Sequence, residues 1–249
     1  VFETIEYPQV LTGEELDAYL ARGWYRMGQS IYTTDYVMFE HRVYRTIWLR
    51  HILKNYSGGK SFDKLRKRNR HLDVEFKEAE ITPEQEALFQ KYRKAMPFEP
   101  APSLNQLLNG YVFDPADIYA TFQICIYDES KLIACTYFDI GNTSAEGISA
   151  FYDPDYTANS LGRYLIYLQI DLCCLLGFTH YYPGYFVPGY AHLDYKLAIG
   201  KSSLEYYHKE DMNWYPMSEY IDEGISLNWG DEIWPDDELE DNPLNDEEE

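Results

Sequence analysis

No apolar run in the 249-residue chain reaches the roughly 18 residues that a membrane-spanning helix needs, so no membrane association is expected. The first residues, Val1-Phe2-Glu3-Thr4, lack a basic stretch followed by an apolar one, and a chain without a secretory leader is expected. C-x-x-C spacing is missing as well. Of the four cysteines, Cys125 and Cys135 lie in apolar strand-like runs, and Cys173 and Cys174 are neighbours in a helical pattern. Adjacent residues on a helix point about 100° apart, which makes a poor metal clamp. Free reduced thiols, no metal and a cytoplasmic location are therefore expected.

Basic residues are absent from Asp231 to Glu249, which carries eleven acids. That stretch supplies over half of the net charge of −21 and leaves −10 for the rest. Residues 229–249 are expected to form a solvated, disordered acidic tail. Acids are scarce in turn from His41 to His71, where Asp63 stands alone against ten Lys and Arg, a local +9. Association with a polyanion follows local potential rather than net charge, so this segment is a candidate contact.

At 45% hydrophobic and 25% charged, the chain has the composition of a folded globular protein. Its length allows one large domain or two small ones. Thr12 with Glu15, and Thr82 with Gln85, read as capping boxes that start helices, the first stopping at Gly23 and the second before Pro97. Ile31 to Ile52 reads as one or two strands, Ser61 to Asn69 as a short basic helix, and Leu72 to Phe76 as a strand. Phe98 to Pro102 reads as a loop.

Beyond Ile118 the pattern is clearer. Tyr119 to Tyr127, Leu132 to Ile140 and Ile148 to Tyr152 form a predicted antiparallel meander, with Gly141 to Gly147 as its second turn. A helix then opens near Asn159 or Ser160, with Leu161, Leu165, Leu168, Leu172 and Leu175 on one face and Gly177 closing it. His180 to Val187 and Leu204 to His208 read as further strands, with Tyr195 and Lys196 in a short helical stretch between them. Three antiparallel strands, a helix and another strand follow the order of a GNAT acyltransferase core. The expected fold is α/β (α+β): a GNAT-like domain over residues 110–210 and a smaller N-terminal α/β domain over 1–100.

GNAT enzymes that use coenzyme A hold its pyrophosphate in a turn of the form Gln/Arg-x-x-Gly-x-Gly/Ala at the start of the central helix. The equivalent stretch here, Thr157 to Gly162, has one glycine where two small residues are wanted, and Arg163 follows it rather than preceding it.

A more specific resemblance emerges from Phe151-Tyr152-Asp153-Pro154-Asp155, Ser160-Leu161-Gly162-x-Tyr164, Gln169-Ile170-Asp171-Leu172 and Tyr182-Pro183-Gly184-Tyr185-Phe186-Val187. With Gly23-Trp24-Tyr25-Arg26-x-Gly28 and Arg66-Lys67-Arg68-Asn69-Arg70 upstream, the set resembles the arginyl-tRNA–protein transferases and their bacterial relatives, the aspartate/glutamate leucyltransferases. The resemblance implies transfer of an aminoacyl group from the tRNA 3′ end to the N-terminal α-amine of a protein or peptide, as in N-degron tagging. Aminoacyl-tRNA is then the donor, with no separate cofactor, and neither DNA nor a membrane is a partner. Candidate pocket residues are Tyr152, Ser160, Tyr182 and Tyr185, the tyrosines stacking on the terminal adenine or holding its ribose. Candidate tRNA contacts are Lys64, Arg66, Lys67, Arg68, Arg70 and Lys196. The family's cysteines after the Tyr32 position are absent from Tyr32 to Phe39, which excludes a metal or iron–sulfur centre there. Alternatives are an acyl-CoA-dependent N-acyltransferase and a catalytically inactive homologue that binds tRNA or a degron.

Overall fold

A computed structural model describes residues 3–39, 42–96, 100–111 and 117–221. The acidic tail expected over 229–249, and part of the loop expected from Phe98, lie outside these residues. Among the described residues no helix is long and apolar enough to cross a membrane.

β1 (Glu3–Glu6), α1 (Gly13–Leu20), β2 (Tyr25–Met27) and β3 (Ser30–Thr34) come first, with the strands paired antiparallel in the order β1-β3-β2. Both halves of the capping box start α1: the Glu15 amide donates to Thr12 Oγ1 at 3.2 Å, and the Thr12 amide donates to Glu15 Oε2 at 2.8 Å. The span read as one or two strands divides into β3, a hairpin of β4 (Tyr36–Phe39) and β5 (Arg42–Arg45), and β6 (Ile47–Ile52). Thr46 Oγ1 and Trp48 Nε1 both donate to the Thr34 carbonyl, at 2.7 and 3.1 Å, and thereby pin the start of β6 to the end of β3.

α2 (Gly59–Arg68), β7 (Asp73–Glu78), α3 (Pro83–Ala95) and α4 (Leu104–Asn109) follow, then the meander β8 (Thr121–Asp128), β9 (Lys131–Ile140) and β10 (Ser144–Tyr152). α5 (Leu161–Leu175), β11 (His180–Phe186), β12 (Leu204–His208) and β13 (Asn213–Pro216) complete the described chain. One sheet of eight strands runs β13-β12-β6-β11-β10-β9-β8-β7. Residues 1–100 and 110–210, expected as two domains, share this sheet. β6 is buried along most of its length and lies between β11 and β12, while β7 forms an edge against β8.

α2 and α5 cover one face, burying Phe62, Leu165 and Ile170 against Ile126 and Phe138. α3 and α4 cover the other, where Phe89 and Leu104 meet Cys135, Tyr137 and Phe151. Residues 132–139 of β9 are accordingly buried without interruption, as expected for a strand covered on both sides. Of the leucine stripe predicted for α5, Leu161 and Leu165 are buried and Leu168 and Leu172 pack half-buried against the same core, while the structure corrects Leu175. The buried face of the helix carries Leu161, Leu165, Ile166, Gln169, Ile170 and Cys173, and Leu175 is 81% exposed. This face is wider than a leucine stripe, and it ends at Cys173, with Leu175 past the sheet-facing contacts.

β10 begins at Ser144, four residues ahead of its expected start, because the extra residues pair in parallel with β11. The pairs are Ser144 with His180, Ala145 with Tyr181, and Glu146 with Tyr182. There the parallel pairing ends. β10 continues along β9 past a bulge between Gly147 and Ser149, and β11 continues along β6 past an irregularity between Tyr181 and Gly184. The two strands thus part beyond Glu146 and Tyr182, with α5 in the connection between them. This is GNAT-like topology. Glycine is required at the bulge, since a Cβ on Gly147 would lie 2.5 Å from the Tyr181 hydroxyl.

Candidate active site between the parted strands

Cavities open on either side of the 3-10 segment Ala191–Ala198, which contributes His192 and Leu193 to both. The smaller, of about 310 Å³, is walled by Tyr25, Tyr32, Trp48 and Tyr185, with Arg26, Glu146 and Lys196 as charged members. The larger, of about 480 Å³, is lined by Tyr92, Tyr152, Ser160, Gly162, Arg163 and Tyr195 among others.

The predicted pocket residues do not converge on one cavity. Tyr152 and Ser160 line the larger and Tyr185 the smaller. Tyr182 lines neither: it is 1% exposed and packs between Tyr25 and Trp214, at ring distances of 6.2 and 5.8 Å. It belongs to the core joining the N-terminal strands to the large sheet, a role set by the long-range pairing of β11.

At the larger cavity, Asp153 builds the turn before α5. It accepts from Lys131 at 2.8 Å, from Lys91 at 2.5 Å and from the Asp155 amide at 3.0 Å. Burial raises its carboxyl, but these hydrogen bonds outweigh burial and hold it at about 2. Ser160 then enters the left-handed region at φ 52°, and its side chain makes no capping bond to α5. First-turn amides of an α-helix lack intrahelical acceptors and carry the positive end of its dipole. Gly162 allows the Tyr152 ring to lie on this first turn, since a Cβ there would be 2.8 Å from Cε1.

α2 is fastened beside this helix start. Arg68 Nη1 donates to the Ala158 carbonyl at 2.7 Å, Asn69 Nδ2 to the Asn159 carbonyl at 3.1 Å, and Asn159 Nδ2 to Asn69 Oδ1 at 2.8 Å. Lys64, Arg66, Lys67, Arg68 and Arg70 are all exposed, so a cationic surface adjoins the rim of the larger cavity. Lys196, grouped with them in the sequence, lies elsewhere: it is half-buried in the smaller cavity and donates to the Tyr185 carbonyl at 2.8 Å. Burial pulls its amine down to about 8.

Sequence reasoning missed Glu146. It is 2% exposed, its Oε2 accepts the Arg26 backbone N–H at 3.2 Å, and Oε1 has no hydrogen-bond partner. Burial, then the nearby Asp139, pushes its carboxyl up to about 8. The available signal was a lone acid within an otherwise uncharged strand. Among the described residues no group of three or more His, Cys, Asp and Glu could hold a metal ion. Cys125 and Cys135 face each other across β8 and β9 as buried free thiols, with Cys125 Sγ donating to Cys135 Sγ at 3.6 Å.

Strand order and the parted parallel pair give the sheet GNAT-like topology, with cavities on either side of the segment beside the opening. Residues 84–206 match the family described as arginine-tRNA-protein transferase, C terminus. The chain is 25% identical over 193 residues to the aspartate/glutamate leucyltransferase of Leptospira interrogans, covering 76% of this chain and 74% of that protein. It is 29% identical over 108 residues to arginyl-tRNA–protein transferase 1 of Saccharomyces cerevisiae, covering 43% of this chain and 22% of that one. Among solved structures, FemX aligns with a TM-score of 0.45 and 7% identity over 76% of this chain and 65% of its own. The segment 84–206 thus belongs to the aminoacyl-tRNA–protein transferase family.

Proposed function

We propose that this protein moves an aminoacyl group from the 3′ end of a charged tRNA to the N-terminal α-amine of a polypeptide, in the cytoplasm and with no metal or organic cofactor. One observation supports this reading above the others. The exposed cations of α2 are tied to the turn that opens α5, so a tRNA held by its phosphates would deliver its end to the larger cavity. Tyr92, Tyr152 and Tyr195 offer aromatic surface to a terminal adenine, and the first turn of α5 offers amide donors to a developing oxyanion. The incoming amine would enter from the smaller cavity, across the segment that both share.

The aminoacyl ester is already activated, so the protein's work is to place it, free the amine of a proton and stabilise the tetrahedral oxyanion. The Thr157 to Gly162 turn lacks the second small residue of a pyrophosphate cradle, which weighs against an acyl-coenzyme A donor. The named relatives suggest the first probes: leucyl- and arginyl-tRNA as donors, and a peptide beginning with aspartate as acceptor. Label transferred from either tRNA to the peptide is the expected result. Coenzyme A retained through purification would move the assignment to acyl-CoA transfer. Firm tRNA binding without transfer would leave a binding protein.

A further inference from the structure

Two acids are buried beside Arg26, and only one is answered. Asp139 takes the guanidinium, with Nη1 at 2.8 and 3.1 Å from its oxygens, and accepts from Thr121 Oγ1 at 2.7 Å. The remaining donors of Arg26 go to the Gly28 carbonyl at 2.8 Å and the Leu108 carbonyl at 2.5 Å. The guanidinium makes no hydrogen bond to Glu146, which holds only the Arg26 backbone amide, on Oε2. A buried carboxylate without a cation is costly, and protonation does not settle it, because a carboxylic O–H needs an acceptor that Oε1 does not face.

The position of this open valence is informative. Glu146 is the last residue of β10 paired with β11, so it stands where the strands part and forms part of the wall of the smaller cavity. Tyr25 and Trp48 stack there at 4.1 Å, with Tyr32 and Tyr185 edge-on to Trp48 at 5.8 and 5.0 Å. A carboxylate oxygen framed by aromatic rings recognises a small organic cation with N–H donors.

We propose that Glu146 binds the α-ammonium of the acceptor polypeptide through Oε1 and removes the proton that must leave before the nitrogen attacks. This deepens the transferase reading and rests on it. The ammonium gives one proton to the carboxylate, leaving a neutral amine and a carboxylic acid. The nitrogen lone pair forms the C–N bond to the ester carbon, and the carbonyl electrons move onto oxygen. Collapse of that intermediate breaks the bond to the tRNA ribose oxygen, which leaves with the second proton from nitrogen. Glu146 returns its proton to solvent, so the reaction releases one proton in all.

The carboxyl, raised to about 8, is close to a free α-amine at roughly 7.7–8.0, so the proton passes with little free-energy change. Around it stand Tyr25 and Arg26 of β2, Tyr32 of β3, Tyr119, Asp139 of β9, and Tyr181 and Tyr182 of β11, with His192 and Lys196 further along the cavity. The tyrosines are all raised and stay neutral near pH 8. Lys196, at about 8, titrates in the same window as Glu146.

Glu146→Gln and Glu146→Asp decide the matter in two assays. In transfer, Glu146→Gln should lower kcat about 100-fold or more, with partial rescue by Glu146→Asp. Its KM for aminoacyl-tRNA should stay within about twofold of wild type. In binding, an aspartate-initiated peptide should bind the wild type more tightly than its N-acetylated twin, and Glu146→Gln should abolish that difference. Glu146→Gln with nearly full kcat overturns the proposal. Binding of N-acetyl-argininamide that is lost in Glu146→Gln also overturns it, because the carboxylate would then read a donor side chain. If the wild type transfers nothing, the transferase reading falls and the peptide pair still decides: discrimination lost in Glu146→Gln upholds the ammonium site, and equal binding of both peptides overturns it.

Discussion

Arg68 Nη1 lies 2.7 Å from the carbonyl oxygen of Ala158, joining the end of the basic helix to the turn that starts α5 across 90 residues of sequence. The bond sets the direction of the cationic surface. Arg66 and Lys67 are exposed beside Arg68, with Arg66 also lying over the Phe62 ring at 5.5 Å.

Arg66→Glu with Lys67→Glu should therefore weaken tRNA binding about tenfold or more, while folding is unchanged. Two lost phosphate contacts should flatten the slope of log K against log salt by about 1.5. Filter binding at several salt concentrations measures both. An unchanged slope would make α2 a solvated face with no part in binding.

Gly162→Ala should be destabilising for a local steric reason. The added Cβ meets Tyr152 Cε1 at 2.8 Å, and that ring is held edge-on to Tyr92 at 5.2 Å. Overpacking of this kind costs about 1–3 kcal/mol, and the displaced ring would narrow the larger cavity. Urea unfolding and tRNA affinity should both report the loss; a variant as stable as wild type would show that the ring gives way freely.

Asp153 should make stability depend on pH in acid. Its folded value of about 2 lies below the unfolded 3.8, so its stabilisation is complete above the unfolded value and lost as pH falls through the folded one. At neutral pH the contribution is about 2 kcal/mol, somewhat less where water screens the exposed lysines. Asp153→Asn should cost about that much at pH 7, and the gap from wild type should close between roughly pH 4 and 2. A gap that persists at low pH would mean that the charge of Asp153 does not hold the turn.

Tyr181 and Gln169 form a buried pair that supports the bulge. The Tyr181 hydroxyl donates to Gln169 Oε1 at 2.5 Å, Gln169 Nε2 donates to Thr136 Oγ1 at 2.8 Å, and Thr136 Oγ1 donates to the Ser149 carbonyl at 2.7 Å. Tyr181→Phe leaves Oε1 buried and unsatisfied, at a cost of about 1–3 kcal/mol. Adding Gln169→Leu should recover part of that loss, because both polar partners are then gone. Strictly additive losses in a double-mutant cycle would rule out the coupling.

Sequence by itself determined what depends on neighbours along the chain. The Thr12 and Thr82 capping boxes, the meander from β8 to β10, the start of α5 and the crowding of cations on α2 follow from short-range backbone geometry and composition. The family signature around Tyr152 and Gly162 was legible for the same reason. Tertiary structure alone decided the rest. Leu175 is exposed although it continues the leucine stripe of α5, because the packed face of the helix ends before it. Tyr182 fills core because β11 pairs with β6, a strand more than 120 residues earlier. Glu146 carries an open oxygen because Arg26, 120 residues away, places its amide on one carboxylate oxygen and directs its guanidinium hydrogen bonds to Asp139, Thr121, Gly28 and Leu108. A side chain's charge can be read from one residue, whereas its burial and its lack of a partner depend on everything that packs around it.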